Sequence, residues 1–243
     1  MALIRIIVPC YNEAERLPIG DFLDFLRSEA SVDFDILFVN DGSSDDTIQV
    51  LNDIRNKSER VSVLDLQKNG GKAEAIRQGM LSTQSDKYSY LAFLDADLAT
   101  PIEELIRMKD LAFKAEEPYF VMGSRINLLG YSQIKRKASR HYIGRIFATI
   151  VSNLLGLAVY DTQCGAKLIR QDLTQELFKE RFISKWLFDV EMIFRLKKLK
   201  SDYDQRIMEV PLKKWEDKSG SKIKFTYYFQ APIDLLRIYF KYG

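Results

Sequence analysis

Four times in the first half of the chain, a short run of β-branched and aromatic residues leads into a loop and then into a stretch with helical spacing. Leu3–Val8 (LIRIIV) reads as the first strand, stopped by Pro9. A helix over Pro18–Ser28 follows, with Phe22, Leu23, Phe25 and Leu26 on one face. Phe34–Val39 is the second strand, and Asp45 or Asp46 caps a helix over Thr47–Asn56. Val61–Leu66 and Tyr88–Leu94 are the third and fourth strands, with a helix over Lys72–Leu81 between them. Alternation of this kind implies right-handed crossovers and an α/β, Rossmann-like, doubly wound, mainly parallel sheet. Ligands of such sheets bind outside the carboxyl ends of the strands. That places four loops on one rim: Pro9–Glu13, Asn40–Ser44, Lys68–Lys72 and Asp95–Thr100.

The second half adds a strand at Phe120–Gly123, then loop and helix over 126–160. A strand at Ala166–Ile169, helices at Asp172–Phe178 and Phe188–Leu199, and a strand at Arg206–Val210 follow. Residues 1–224 read as one catalytic-type domain and 225–243 as a C-terminal amphipathic appendage. Of the 243 residues, 47% are hydrophobic and 29% charged, enough for a proper core, and the net charge of +2 gives no general attraction for nucleic acid. Cys10 and Cys164 make no disulfide framework or metal-type spacing, so the expected setting is the reducing cytoplasm. No run approaches the roughly 20 apolar residues that a bilayer span requires.

The chemistry-bearing residues fall on the expected rim. Asp95-Ala96-Asp97 puts two carboxylates after a buried strand, which suits a divalent cation such as Mg2+ or Mn2+ shared with phosphates. The same residues also suit a solvated loop that caps the helix near Pro101. Asp41, in Asp41-Gly42-Ser43, stands where a carboxylate can accept from ribose hydroxyls or a base N–H. Lys68-Asn69-Gly70-Gly71-Lys72 offers backbone N–H groups and an ammonium at a helix start, an anion site or simply a solvated turn.

Together, Val8-Pro9-Cys10-Tyr11-Asn12-Glu13, Asp41-Gly42-Ser43, Asn69-Gly70-Gly71-Lys72 and Asp95-Ala96-Asp97 resemble the family-2 glycosyltransferases of GT-A fold, in order and in loop placement. Gly123-Ser124-Arg125, Asp161–Leu168 (DTQCGAKL), Trp186–Glu191 (WLFDVE) and Trp215 with Gly220-Ser221-Lys222 narrow the resemblance to the dolichyl- or polyprenyl-phosphate β-glucosyltransferase branch, with the mannosyltransferases as relatives. The resemblance implies that Pro9, Tyr11, Asn12 and Glu13 line a nucleotide pocket and that Asp41 holds base or ribose. It implies further that Lys72, Asp95, Ala96 and Asp97 flank the diphosphate, with Asp97 and then Asp95 as ligands of Mg2+ or Mn2+. Ala99 stands where some mannosyl relatives carry a metal-binding Gln, which favours the glucosyl branch.

The implied reaction is inverting, metal-dependent hexosyl transfer from a nucleotide sugar (UDP-glucose, with GDP-mannose as the alternative) to a lipid phosphate. Arg125, Arg136 and Arg140 are the cations expected for the acceptor phosphate, because a guanidinium matches its oxygens. The cluster Lys135–Arg140 also reads as a solvated basic face. Asp189 is either a general base, or a carboxylate that positions the acceptor, or half of a structural ion pair. Cys164 reads as a small buried residue, and His141 receives no role. Asp234, Arg237 and Lys241 recur at helical spacing among Ile, Leu, Tyr and Phe, so Pro232–Tyr242 reads as an interfacial helix, aided by the aromatics of Phe225–Phe229, or else as a segment packed on the core or in a dimer interface. The expected setting is therefore the cytoplasmic face of a membrane, as a peripheral protein. Transfer to a saccharide hydroxyl, and a noncatalytic nucleotide-sugar-binding module, are the competing readings. No feature of the sequence specifies an oligomeric state.

Overall fold

The computed structural model describes residues 3–83, 86–135, 138–218 and 227–243, with backbone alone for 138–143 and 227–229. The elements run β1 (Leu3–Cys10), α1 (Ile19–Arg27), β2 (Phe34–Asp41), α2 (Thr47–Arg55), β3 (Val61–Leu66), α3 (Lys72–Ser82), β4 (Tyr88–Leu94), α4 (Glu104–Lys114) and β5 (Phe120–Ser124). They continue with β6 (Gln133–Lys135), α5 (Ala138–Leu155), β7 (Ala166–Arg170), α6 (Gln171–Phe178), α7 (Phe188–Leu199), β8 (Ile207–Pro211), β9 (Lys214–Glu216) and α8 (Tyr227–Tyr242).

Seven strands form the central sheet in the order β3-β2-β1-β4-β7-β5-β8. Only β7 runs against the others, pairing antiparallel with both β4 and β5. Strand order reverses at β1, which lies between β2 and β4, so the crevice at the carboxyl ends of β1 and β4 is the switch point of the sheet. This is the expected mainly parallel, doubly wound architecture.

Both sheet faces are covered, which explains the near-continuous apolar strands. On one face Ile4, Ile6 and Val8 pack with Phe22 and Phe25 of α1, Leu51 and Ile54 of α2, and Leu105 and Met108 of α4. On the other, Ile7, Leu91 and Phe93 pack with α3, α6 and α7, and with Val151 and Leu155 of α5 and Leu235 and Ile238 of α8. Each aromatic buried this way contributes on the order of 2 kcal/mol.

Three local expectations change. Pro9 does not end β1: the strand continues to Cys10, because its ladder with β4 stops at Ile7 and the missing N–H of proline therefore breaks no bond there. A second, two-stranded sheet joins β6 to β9 across 81 residues of sequence, too short and too distant to show as a local pattern. Helix α8 begins at Tyr227 and carries Pro232 inside it, rather than starting at the proline.

The appendage is also arranged differently from the expected charged-face helix. Asp234 is buried and accepts from Gln230 Nε2 at 2.9 Å, so it is not on the solvent face. Arg237 and Lys241 remain exposed, and beside them Ile233, Leu236 (52% exposed) and Phe240 (82% exposed) form an outward apolar stripe. Residues 225 and 226 lie outside the described residues.

Gly79 of α3 is where helix and sheet touch most closely. A Cβ there would lie 2.6 Å from Ile7 Cγ2 and 3.0 Å from Val39 Cγ2. Gly79→Ala is therefore expected to destabilise the fold by about 1–3 kcal/mol in urea unfolding, despite the better helix propensity of alanine. A stabilised variant would contradict this packing.

Candidate active site

The four rim loops are bonded to one another in sequence around the crevice. Asn12, at a left-handed φ of 53°, receives Ser44 N–H on its side-chain oxygen at 2.9 Å and donates its own N–H to Ser43 Oγ at 3.0 Å. Glu13 N–H donates to Thr47 Oγ1 at 2.8 Å, and Asp45, not Asp46, caps α2 by accepting from Thr47 N–H at 3.1 Å. Asp41, at the end of β2, is buried and accepts from the N–H groups of Gly70 and Gly71, both at 2.8 Å, and from Asn69 Nδ2 at 3.1 Å. Burial pushes its carboxyl up, and the two glycine N–H groups oppose that. Gly42 (φ 59°) cannot carry a side chain, since a Cβ would sit 2.6 Å from Asn69 N. At the start of α3, Lys72 Nζ reaches across to pair with Asp95 Oδ1.

Asp95 and Asp97 follow β4 at the switch point. Ala99 N–H donates to Asp97 Oδ1 at 3.0 Å, and Leu98 takes a left-handed φ of 49° to close this turn. The Asp97 side chain reaches solvent, while the protein packed behind it and the Asp95 charge both push its carboxyl up. Among the described residues no three His, Cys, Asp or Glu side chains are grouped so that they could hold a metal ion by themselves. Two carboxylates with an accessible edge fit Mg2+ or Mn2+, which complete their shells with water and substrate phosphate oxygens.

The antiparallel β7 brings the second half of the site alongside. Asp95 N–H donates to Gly165 O at 3.2 Å, and a Cβ on Gly165 would collide with the Asp95 carboxylate at 2.1 Å. Any side chain there would force the Asp95 carboxylate to move. Two residues on, Lys167 is fully buried, and its Nζ pairs with Asp189 Oδ1 at 2.6 Å and donates to Cys164 O. Burial pushes the Asp189 carboxyl up, while Lys167 and Lys72 pull it down. At the end of β5, Arg125 grips Asp161 with Nε and Nη2 at 2.6 and 2.8 Å, and its N–H adds a third bond at 3.0 Å. Despite burial, the Arg125 charge holds the Asp161 carboxyl down at about 2. Glu209 of β8 fixes the same loop by accepting from Tyr160 and Asp161 N–H at 2.8 and 2.6 Å.

The model of the family described as Glycosyl transferase family 2 matches residues 5–178. The chain belongs to this family. Among curated relatives it is 32% identical to the dolichyl-phosphate beta-glucosyltransferase of Dictyostelium discoideum, covering 98% of this chain and 74% of that one. It is 31% identical to the dolichyl-phosphate beta-glucosyltransferase of Homo sapiens, covering 98% and 75%. Among solved structures, glucosyl-3-phosphoglycerate synthase from Mycobacterium tuberculosis, in complex with Mn2+, UDP and glucosyl-3-phosphoglycerate, has the same fold: TM-score 0.67 at 17% identity over 98% of this chain and 80% of that one. The protein is thus a glycosyltransferase of GT-A fold.

In this family-2 enzyme the structure brings Tyr11, Asn12, Glu13, Asp41, Lys72, Asp95, Ala96 and Asp97 to one rim, with Pro9 just inside it on β1. Tyr11 is exposed there and Ala96 is buried. Arg125 and Asp189 lie on the β5–β7 side, each already paired with an opposite charge. Arg136, Lys137 and Gly220-Ser221-Lys222 lie outside the described residues, as do the side chains of Arg140 and His141. Phe188 packs on Phe93 and Phe182, as a core residue. Sequence reasoning missed Lys167, Asp161 and Gly165 as parts of the site. A lysine in the strand Ala166-Lys167-Leu168-Ile169 is the signal that was there to be read, since a charge in an apolar strand needs a buried partner.

The Arg125–Asp161 pair sets a pH dependence. A carboxyl held at about 2 when folded, against 3.8 otherwise, contributes stability that is complete above pH 4 and is lost as pH falls from 4 towards 2. Asp161→Asn should remove about 2 kcal/mol or more at pH 7 by stranding a buried guanidinium, with a much smaller difference from wild type near pH 2. Urea unfolding at both pH values reads this directly, and an equal loss at both would contradict it.

Proposed function

We propose that the enzyme transfers glucose from UDP-glucose, with inversion, to the phosphate of a dolichyl- or other polyprenyl-phosphate. The observation that carries this reading over a saccharide acceptor is the state of Asp189. A hydroxyl acceptor needs a general base within reach. Asp189, the expected candidate, is buried and committed to Lys167. A phosphate oxygen is already ionised near neutral pH and needs no base. The names of the relatives support glucose and a dolichyl-phosphate acceptor, and none of those reported supports GDP-mannose.

In this reading the nucleoside lies over Pro9–Glu13 and the Asp41 turn. Asp41 reaches it chiefly by holding the Gly70–Gly71 N–H groups in place, since its oxygens already accept from that turn. Lys72, paired with Asp95, stands beside the diphosphate and stabilises charge on the departing UDP. Asp97, with Asp95, would hold Mg2+ or Mn2+, which when bound supplies further positive charge at the diphosphate. The acceptor phosphate oxygen forms the new bond to the anomeric carbon from the face opposite UDP. The bond from that carbon to the diphosphate oxygen breaks, its electron pair leaves with UDP, and no proton is transferred. The binding-module reading has no use for the paired carboxylates at 95 and 97.

A lipid acceptor requires access to a bilayer. Among the described residues no helix is long and apolar enough to cross one. The outward stripe of Ile233, Leu236 and Phe240 supports attachment through α8 lying on the surface. Exposed Ile146 and Ile150 of α5 extend apolar surface on the same side of the sheet, where both helices pack against α7.

With UDP-glucose, Mg2+ or Mn2+ and a short polyprenyl phosphate, the wild type should form a lipid-linked glucose, and Asp97→Ala should lose at least a hundredfold in kcat. Transfer only to saccharides, or no turnover with any donor, would overturn the reading. Phe240→Asp should lower the bound fraction in vesicle co-sedimentation roughly tenfold, by removing one buried aromatic from the interface. Unchanged binding would rule out α8 as the contact.

A further inference from the structure

A cavity of about 70 Å3 lies between α5 and the loop that precedes β7, next to the donor crevice. Arg125, Arg145, Phe147, Tyr160, Thr162 and Gln163 are among its walls. It has room for several waters or for one compact polyatomic group.

Its polar groups are mostly donors with nothing to donate to. Arg145 Cζ lies over the Tyr160 ring, 3.6 Å from the centroid, and among the described residues no carboxylate pairs with it. Stacking occupies the face of the guanidinium and leaves its N–H edge free. Arg125 spends Nε and Nη2 on Asp161, and its Nη1 makes no hydrogen bond to a described residue. Thr162 is 2% exposed, and its Oγ1 has no hydrogen-bond partner among the described residues; Gln163 Nε2 is likewise buried without one there. Buried polar groups are ordinarily satisfied, so two unmet ones on one cavity wall beside two guanidiniums call for a ligand. Among the described residues Asp161 is the only carboxylate on these walls, and Arg125 already neutralises it. Such a wall suits an oxyanion.

The position suits the reaction. Residues 161–165 run from this wall to Gly165, whose carbonyl accepts Asp95 N–H and whose missing side chain makes room for the Asp95 carboxylate. A group held in the cavity is therefore one short loop away from the residues that flank the donor diphosphate.

We infer that this cavity seats the phosphate group of the acceptor, and that Arg145 is a residue that binds it, together with Arg125 Nη1, Thr162 Oγ1 and Gln163 Nε2. The inference rests on the phosphate-acceptor reading above and adds the site and the residue. The chemistry read by the cavity is a phosphate monoester, which a polyprenyl phosphate and a small soluble phosphate ester both carry. Tyr160 acts through Arg145 as a positioning residue, holding the fork at one height.

The test measures initial rates for wild type, Arg145→Ala, Arg145→Lys and Tyr160→Leu with UDP-glucose, Mg2+ or Mn2+, and either a ten-carbon isoprenyl phosphate or glycerol 3-phosphate. Arg145→Ala should raise the acceptor KM at least tenfold and leave the donor KM within twofold. Lysine should recover part of the loss by restoring charge without the fork, and Tyr160→Leu should fall between. A second readout uses no donor: the isoprenyl phosphate should raise the Tm of wild type and not that of Arg145→Ala, each against its own ligand-free Tm. Saturation with only the isoprenyl ester would identify a lipid acceptor, and saturation with both would show that the phosphate alone is read; either result upholds the site when Arg145→Ala raises the KM of the acceptor used. A wild type that transfers to the isoprenyl phosphate, beside an Arg145→Ala variant of unchanged acceptor KM, would overturn this inference and leave the function standing. A wild type that glucosylates neither phosphate would overturn the function, and the Tm shift would then decide the cavity by itself.

Discussion

The ion pair of Lys167 and Asp189, at 2.6 Å in the interior, is the constraint on which the site depends. A charge enclosed this way is tolerated only with its partner, and removing either one costs about 3–5 kcal/mol. The pair locks β7 to the first turn of α7, and the bond from Lys167 to Cys164 O extends the lock into the loop before the strand. Strand β7 is the one strand that enters the sheet backwards, between β4 and β5. Its reversed direction carries residues 161–165 to the same edge as the carboxyl end of β4. Without that reversal Gly165 would not face Asp95, and the Arg125–Asp161 pair would not stand beside the donor crevice.

Around the crevice the charges are arranged before any ligand arrives. Asp95 is matched by Lys72, Asp161 by Arg125 and Asp189 by Lys167. Among the described residues Asp97 alone of these carboxylates has no ion pair; its Oδ1 accepts from Ala99 N–H in a turn that Leu98 closes in a left-handed conformation. Groups fixed in this way need little reorganisation as negative charge moves onto a leaving diphosphate, which is where electrostatic catalysis gains most. The glycines at 42 and 165 allow this closeness, since each leaves space that a Cβ would fill.

Much of this was legible in the sequence because it is local. The strand and helix periods over 3–94 identified the sheet, and the sheet rule then put Pro9–Glu13, Asp41, Lys72 and Asp95–Asp97 on one rim. What the sequence did not disclose depends on distant pairing. Arg125 and Asp161 are 36 residues apart, and β6 meets β9 only after the chain has crossed the sheet. Motif and rim position point to Asp41 as a residue for base or ribose; that its carboxylate also holds the Gly70–Gly71 turn is a contact that only the fold of that turn reveals. Spacing puts Asp234 on a charged face with Arg237 and Lys241, but the packing of α8 against α7 buries Asp234 and leaves Arg237 and Lys241 outside with Ile233, Leu236 and Phe240. Periodicity fixes which residues share a face, while packing decides which face is covered.

The central claim is a single displacement at the anomeric carbon by a phosphate oxygen. Proton and phosphorus NMR of the product formed from UDP-glucose and a short polyprenyl phosphate tests it most directly. The account predicts a phosphodiester-linked glucose of β configuration, inverted from the α configuration of the donor. An α-linked product, or glucose joined to a hydroxyl oxygen, would contradict it.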